Sequence, residues 1–209
     1  MDAAGSNPSS FTVPDGIPPE LVERARRAYE QPPRAYHSFA HVEEVLSWHA
    51  LVARDVGWRQ PRETWLAALF HDVIYVAGRK DNEERSAVLA QEEIARAVQG
   101  PMDVARVQAL IRLTAQHGRL SPADVDTEAA LFLDMDMAIL GAEPARFDAY
   151  DAGVATEYSA VVPGFIYRFN RRRFLQALLD APRIYLSDYF QQRLDEAARR
   201  NLRRALGGG

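Results

Sequence analysis

Two polar residues, His71 and Asp72, stand side by side in a segment that is otherwise apolar, WLAALFHDVIY. Moving an imidazole and a carboxylate out of water is unfavourable unless a hydrogen bond, an opposite charge or a metal ion compensates each group. The pair is therefore a candidate for metal binding or for acid–base catalysis. A core histidine satisfied by hydrogen bonds, beside an aspartate at a helix end, is the alternative.

A second candidate ligand is His41, which Val45 and Trp48 follow at four and seven residues. This spacing places His41 on the apolar face of a predicted helix, so that its ring points toward the interior. His37 precedes the first turn of the same helix and is the weaker candidate ligand. An isolated histidine on an apolar face is more often a hydrogen-bonded core residue, and we interpret His49 in that way.

The third element is the apolar segment LFLDMDMAILG, which contains Asp134 and Asp136. A helix turns by about 200° over two residues, so the two carboxylates point in different directions. Asp136 shares its face with Phe132 and Ile139, and this is the bulkier of the two apolar faces. We therefore predict that Asp136, rather than Asp134, reaches a buried site.

The composition limits the chemistry of such a site. The chain has no cysteine and five histidines, so disulfides, zinc–thiolate sites, iron–sulfur clusters and thiol nucleophiles are excluded, and a metal must be held by imidazole and oxygen. The net charge of -4 argues against a protein that coats nucleic acid. No secretory signal and no window of about 18 apolar residues is visible, so we expect no membrane partner and a cytoplasmic location.

Elements that position these residues are predicted to be helical. Apolar residues recur at helical spacing from Pro19 onward, and no segment alternates as a half-buried strand does, so the predicted fold class is all-α. We expect one domain over residues 19–206 after a flexible leader at residues 1–18, which is rich in Ser, Pro, Gly and Asp. The predicted helices cover roughly residues 20–30, 39–55, 62–75, 82–98, 102–117, 126–140, 144–160, 164–180 and 184–205.

The order of these features resembles the HD-domain superfamily of metal-dependent phosphohydrolases. The resemblance rests on five motifs in sequence, YHSFAHVEEVL, LAALFHDVIY, DNEERSA, LIRLTAQH and FLDMDMAILG. It is closer to one bacterial branch, described as predicted metal-dependent phosphohydrolases of unassigned substrate, and it extends from about Pro18 to Leu206. A His-Asp doublet alone is common by chance, whereas five motifs in this order are specific. The resemblance implies an HD-type helical bundle with additional C-terminal helices.

The resemblance also implies a metal site formed by His41, His71, Asp72 and Asp136. Two imidazoles and two carboxylates suit a divalent transition metal such as Mn²⁺, Fe²⁺, Co²⁺, Ni²⁺ or Zn²⁺. Superfamily members with two metals commonly use two further histidines before the last aspartate, and only His117 is present there. One ion per chain is therefore favoured, and a dinuclear site assisted by carboxylates is the alternative. The implied activity is hydrolysis of a small phosphate ester, such as a nucleotide.

Candidate catalytic residues are Asp72, His117 and Glu83. His117 ends an apolar helical stripe, where an imidazole can contact a phosphate or a second metal, or can simply cap its helix. Glu83 heads the buried face of the following motif, DNEERSA, and is the candidate general acid or base. Certain HD-domain nucleotidases place a catalytic glutamate three residues after the doublet, where this chain has Tyr75, so the acid–base assignment departs from theirs.

Candidate substrate-binding residues are His37, Tyr75, Arg79 and Lys80. The two cations follow the doublet closely enough to line the mouth of the site and to bind a phosphate. The densest basic cluster is the run at residues 171–173. It predicts either a substrate role or a solvated helix face.

Two other functions share this pattern. An HD-fold di-iron oxygenase has the same fold but reacts a C–H bond with O₂, and the missing second histidine counts against it. A binding module that contains a metal without turnover is the other, and the intact set of four ligands counts against that one because buried charges without a role are costly. Inference from fold analogy is weaker than inference from site geometry.

Overall fold

Helices account for all of the regular structure in the residues that the computed structural model describes, 11–31 and 34–207. No strand occurs in these two ranges, so the predicted all-α fold class is confirmed. Two short 3₁₀ helices lie at Pro122–Asp124 and Ala138–Gly141. The α-helices are α1 (Pro19–Tyr29), α2 (Phe39–Asp55), α3 (Pro61–Phe70), α4 (Asn82–Ala97), α5 (Val104–Thr114), α6 (Thr127–Met137), α7 (Pro144–Tyr158), α8 (Gly164–Asp180) and α9 (Asp188–Gly207).

Helix α3 is the centre of the fold. Every residue from Thr64 to Phe70 is buried, and α3 packs against α1, α2, α4, α5 and α6. A short helix that is apolar all round can only be stable when neighbours cover each of its faces. Because α3 delivers the chain to His71, the candidate site begins in the best-packed part of the protein.

The prediction that this central helix extends to residue 75 is wrong, because α3 ends at Phe70. The guanidinium group of Arg34 donates hydrogen bonds to the carbonyl oxygens of Asp72 and Val73, at 2.8 Å each. These carbonyls therefore have side-chain partners in place of helical ones, and His71 and Asp72 lie in a turn.

Helix α4 holds the rest of that turn through two buried polar side chains. Ser86 accepts a hydrogen bond from the backbone N–H of Ile74 and donates one to its carbonyl oxygen. Asn82 makes the same pair of contacts with the backbone of Val76. The backbone after the doublet is thus fixed without helical or strand pairing.

Helix α5 also ends earlier than predicted, at Thr114 rather than residue 117. The next residues form tighter turns, in which the N–H of His117 bonds to the carbonyl of Thr114. Gly118 then adopts a left-handed conformation with φ of 72°, which glycine tolerates better than other residues. His117 consequently lies in a turn beyond the helix.

The packed region starts before the predicted boundary at residue 19. Of the predicted flexible leader, residues 1–10 lie outside the described residues, and residues 11–18 are described. Phe11 and Ile17 are buried in the core, and the ring of Phe11 lies 6.4 Å from that of Phe39 and 6.0 Å from that of Trp65. The polar composition around these two apolar residues led to the prediction of a flexible leader. That prediction is wrong for residues 11–18, which are part of the packed structure.

None of the helices in the described ranges combines the length and the hydrophobicity that crossing a lipid bilayer would require.

Candidate metal centre

Three predicted ligands from three separate elements meet at one point. His41 lies in the first turn of α2, His71 follows α3, and Asp136 lies in the last turn of α6. Nε2 of His41 is 3.1 Å from Nε2 of His71 and 2.9 Å from Oδ1 of Asp136. One ligand atom from each residue lies within 4.8 Å of the other two, which is the arrangement that a single bound ion requires.

Hydrogen bonding fixes the ring of His71 in the form that a metal ligand needs. Its Nδ1 lies 2.8 Å from the carbonyl oxygen of Ala68, and a carbonyl can only accept, so Nδ1 carries a proton. The neutral ring then presents the lone pair of Nε2 to His41 and Asp136. In that form the Nε2 lone pair of His71 converges with His41 and the Asp136 carboxylate, and the residues present fit a divalent cation.

Asp72 lies next to this cluster but outside its tightest part. Its Oδ2 is 3.3 Å from Nε2 of His71, while the group of ligand atoms within 4.8 Å of one another consists of His41, His71 and Asp136. The backbone of Asp72 is well fixed, because its N–H donates to the hydroxyl of Tyr29. That hydroxyl in turn donates to the carbonyl oxygen of Leu69 at 3.0 Å. The role of Asp72 as a fourth ligand stays a prediction.

His117 contacts the cluster through Asp136. Nε2 of His117 lies 2.7 Å from Oδ2 of Asp136, and the other carboxylate oxygen, Oδ1, faces His41. The carboxylate of Asp136 thus lies between His117 and the candidate ligands. The sequence predicted that His117 faces inward, and the contact that the structure shows is with a carboxylate.

The electrostatics of the cluster favour positive charge. Burial alone would lower the pKa of His71, but the neighbouring Asp72 and Asp136 raise it to about 9. Burial alone would raise the pKa of Asp136, but contacts with His71, His117 and His41 hold it well below its ordinary value. Both directions follow from the attraction between the carboxylates and the imidazoles, and the same carboxylates would attract a bound cation.

Asp134 and Asp136 both lie in α6, but their carboxylates have different partners. Its carboxylate accepts hydrogen bonds from the backbone N–H groups of Leu186 and Ser187, at 2.8 and 2.7 Å, and from the Ser187 hydroxyl at 2.6 Å. It therefore ties α6 to the start of α9. Asp134 is more deeply buried than Asp136, contrary to the expectation that Asp136 occupies the better-packed face, because α6 is covered on nearly all sides.

His37 lies beside the cluster and is held by a carboxylate that the sequence did not single out. Nδ1 of His37 is 2.6 Å from Oε2 of Glu157, and its ring stacks on Tyr75 with 3.9 Å between centroids. The other oxygen of Glu157 accepts from three successive backbone N–H groups, those of residues 35–37. Two predicted substrate-binding residues, His37 and Tyr75, are thereby brought together.

A signal for Glu157 was present in the sequence. Tyr150, Val154 and Glu157 recur at helical spacing on the buried face of α7. A glutamate on such a face needs a specific partner, as His71 and Asp72 do. Arg34 gives no comparable signal, because its carbonyl partners become accessible only when α3 ends at Phe70.

Three other predicted site residues lie outside the cluster. Glu83 is half-buried in the first turn of α4, and among the described residues it makes no hydrogen bond or ion pair. Arg79 is exposed and forms a two-pronged pair with Asp81. Lys80 is exposed as well. The structure brings none of the three into contact with the candidate ligands.

His49 belongs to the core, as its sequence context indicates. Its Nε2 lies 3.0 Å from the hydroxyl of Thr64, and its ring stacks on Trp58. Burial lowers the pKa of His49 to about 4. It is therefore a neutral structural histidine in the folded protein.

A cavity of about 240 Å³ opens beside the cluster. Its lining includes His117 and Asp136 as well as the stacked pair of His37 and Tyr75. Arg171, from α8, completes its wall together with several aromatic side chains. A small molecule in this cavity would touch Asp136, His117 and the guanidinium group of Arg171 at once.

The chain matches a known family. Residues 38–152, more than half of the chain, match the family model described as HD domain. The matched segment begins just before α2, ends within α7 and contains all four predicted ligands. Neither curated proteins nor solved structures give a significant match.

Proposed function

Because the chain belongs to the HD-domain family, we propose that it is a metal-dependent hydrolase of a small phosphate ester. The observation that carries this proposal is the convergence of His41, His71 and Asp136 from three helical segments. HD domains are typically metal-dependent hydrolases, and the buried cluster supplies the donor types that such a metal needs.

The proposed ligands are His41, His71, Asp72 and Asp136, with one divalent transition metal ion per chain. Such an ion, when bound, supplies a Lewis acid and lowers the pKa of water at neutral pH. His71 is prepared for this role by its bond to the carbonyl of Ala68. Asp72 would join through the turn that Arg34 and Tyr29 fix in place.

His117 positions Asp136 in this proposal. A hydrogen bond from Nε2 of His117 holds Oδ2, which leaves Oδ1 directed at His41 and His71. His117 also lines the cavity, so it is placed to contact an oxygen of the substrate. The acid–base role of Glu83 stays a prediction, and its test is whether Glu83→Gln lowers turnover while the metal content is unchanged.

The lining of the cavity supports a small organic phosphate as the substrate. The ring of Tyr75, backed by His37, offers a flat surface on which the organic part of a phosphate ester can stack. Glu157 keeps His37 in this orientation. These contacts support a small molecule as the partner, and a nucleotide is one that would fit this description.

The test is metal analysis combined with a substrate screen. The purified protein, loaded in turn with Mn²⁺, Co²⁺, Mg²⁺ and Fe²⁺, is assayed for release of phosphate from phosphomonoesters, nucleotides and cyclic nucleotides. We expect release with at least one ester, and its loss in His71→Ala. Consumption of O₂ with Fe²⁺ in the absence of ester hydrolysis would replace the hydrolase with the oxygenase, and a metal-loaded protein without either reaction would indicate a binding module.

A further inference from the structure

The three arginines of the run in α8 have different environments. Arg172 donates a hydrogen bond to the carbonyl oxygen of Leu206, and Arg173 is exposed beside the ring of Phe169. The side chain of Arg171 is only 12% exposed, and it reaches the cavity that Asp136 lines. Only the first residue of the run therefore faces the candidate site.

Arg171 is buried with one of its donors unused. Its Nε donates to Oδ1 of Asp151 at 2.8 Å, and its guanidinium lies 4.8 Å from the centre of the Tyr150 ring. Its Nη2 is buried and has no hydrogen-bond partner among the described residues. A buried guanidinium N–H without an acceptor is unfavourable, so this position is suited to an acceptor that arrives with a ligand.

A second residue that lines the same cavity also carries an unused donor. Tyr36 is 7% exposed, and its hydroxyl has no partner among the residues that the structure describes. Its ring lies 4.7 Å from that of His41 and 4.6 Å from that of Tyr150. Tyr36 therefore links the candidate ligand His41 to the aromatic ring on which Arg171 rests.

Two residues that line the cavity thus carry donors without an acceptor among the described residues, and one of the two bears a permanent positive charge. A phosphate group has oxygens on all sides, carries negative charge, and forms its strongest hydrogen bonds with guanidinium groups. Its size suits a space that lies against Asp136 and His117. Arg171 pairs with Asp151 through Nε, and an anionic ligand would give its Nη2 a negatively charged acceptor as well.

We propose that Arg171 and the hydroxyl of Tyr36 bind the phosphate oxyanion of the substrate in this cavity. The proposal rests on the proposed function, since it names the residues that hold the substrate of that same site. Arg171 then acts in substrate binding, whereas the histidine and aspartate cluster acts in metal binding.

The first test measures binding of inorganic phosphate to the full-length, metal-free protein by ³¹P NMR titration. We expect Arg171→Met to weaken binding about 10-fold or more, Arg171→Lys to weaken it less, and Arg173→Met to leave it unchanged. Equal phosphate affinity in the parent and in Arg171→Met would overturn the proposal. If Arg171→Met does not fold, Arg171→Lys and Tyr36→Phe carry the comparison.

Tyr36→Phe separates binding from packing. The hydroxyl has no internal partner in the described structure, so its removal should not lower Tm, and a several-fold loss of phosphate affinity is the expected result. A lowered Tm with unchanged phosphate affinity would assign the hydroxyl to the fold instead.

Kinetics distinguish failure of this proposal from failure of the proposed function. With a hydrolysed ester in hand, we expect Arg171→Met to raise KM about 10-fold while its metal content stays at the parent level. Unchanged KM in Arg171→Met would reject the phosphate site and leave the hydrolase intact. Phosphate binding that depends on Arg171, in a protein that hydrolyses no ester, would retain the site and reject the hydrolase.

Discussion

Nε2 of His41 lies 3.1 Å from Nε2 of His71. Because Nδ1 of His71 donates to a backbone carbonyl, Nε2 is the nitrogen that faces His41, and its lone pair is free to bind a cation once the ring is neutral. Oδ1 of Asp136 lies 2.9 Å from Nε2 of His41. A divalent cation would satisfy all three atoms together.

We expect the purified protein to hold about one divalent transition metal per chain. Chelation should lower the free energy of unfolding by about 3 kcal/mol at a metal concentration 100-fold above Kd. Elemental analysis and urea denaturation, with and without chelator, measure the two effects. Full metal occupancy in His71→Ala would remove His71 from the ligand set.

The two aspartates of α6 should separate metal binding from stability. Asp136→Asn is expected to abolish metal binding, since its Oδ1 faces both histidines. Asp134→Asn should largely keep the metal and lower the free energy of unfolding by about 1–3 kcal/mol, because an amide cannot accept all three hydrogen bonds from residues 186 and 187. Loss of the metal in Asp134→Asn and its retention in Asp136→Asn would show that Asp134 is the ligand instead.

His117→Ala should lower turnover more than it lowers metal content. His117 contacts Oδ2 of Asp136 while Oδ1 faces His41, so the ion keeps its direct ligands while Asp136 loses its orienting contact. We expect a decrease in kcat of about 10²-fold or more. Metal analysis of the same preparation is the control, and parental kcat at full occupancy would show that this contact is dispensable.

His49 should make the protein less stable in mild acid. The pKa of His49 is about 4 in the folded chain and about 6.5 in an unfolded one, so between these values the unfolded state binds the additional proton. The free energy of unfolding therefore falls as the pH decreases from about 6.5 to about 4, by up to about 3 kcal/mol.

The matched control for this pH effect is His49→Gln. Glutamine does not titrate, and it can still bond to Thr64, the partner of His49. Urea denaturation at several pH values should show a flatter profile for the variant over the same window. An identical slope in both proteins would mean that His49 is not the group responsible.

Helix positions were predictable from apolar periodicity because most helices bury one side against α3. The turn at His71 was not predictable in this way. Its geometry depends on Arg34, which binds the carbonyl oxygens of Asp72 and Val73, nearly 40 residues further along the chain. A local pattern contains no information about such long-range partners. Asp136 could be singled out from motif order, whereas the contact between His37 and Glu157 joins residues 120 positions apart.

The role of Arg171 could likewise not be predicted from the sequence alone. Three adjacent arginines have identical chemistry in the sequence, and only the direction of each side chain on α8 distinguishes them. Arg171 faces the cavity because the rings of Tyr150 and Phe174 receive its guanidinium group. That selection depends on how α7 and α8 pack, which periodicity alone does not specify.

Arg34 and Glu157 lie on either side of the segment that matches the family, residues 38–152. One fixes the backbone of the doublet, and the other fixes the residues that lead into α2. A graft of the matched segment into another scaffold would therefore carry every candidate ligand yet lack both of the contacts that hold them in register. A transplantable unit of the metal centre therefore has to extend at least to Arg34 on one side and to Glu157 on the other.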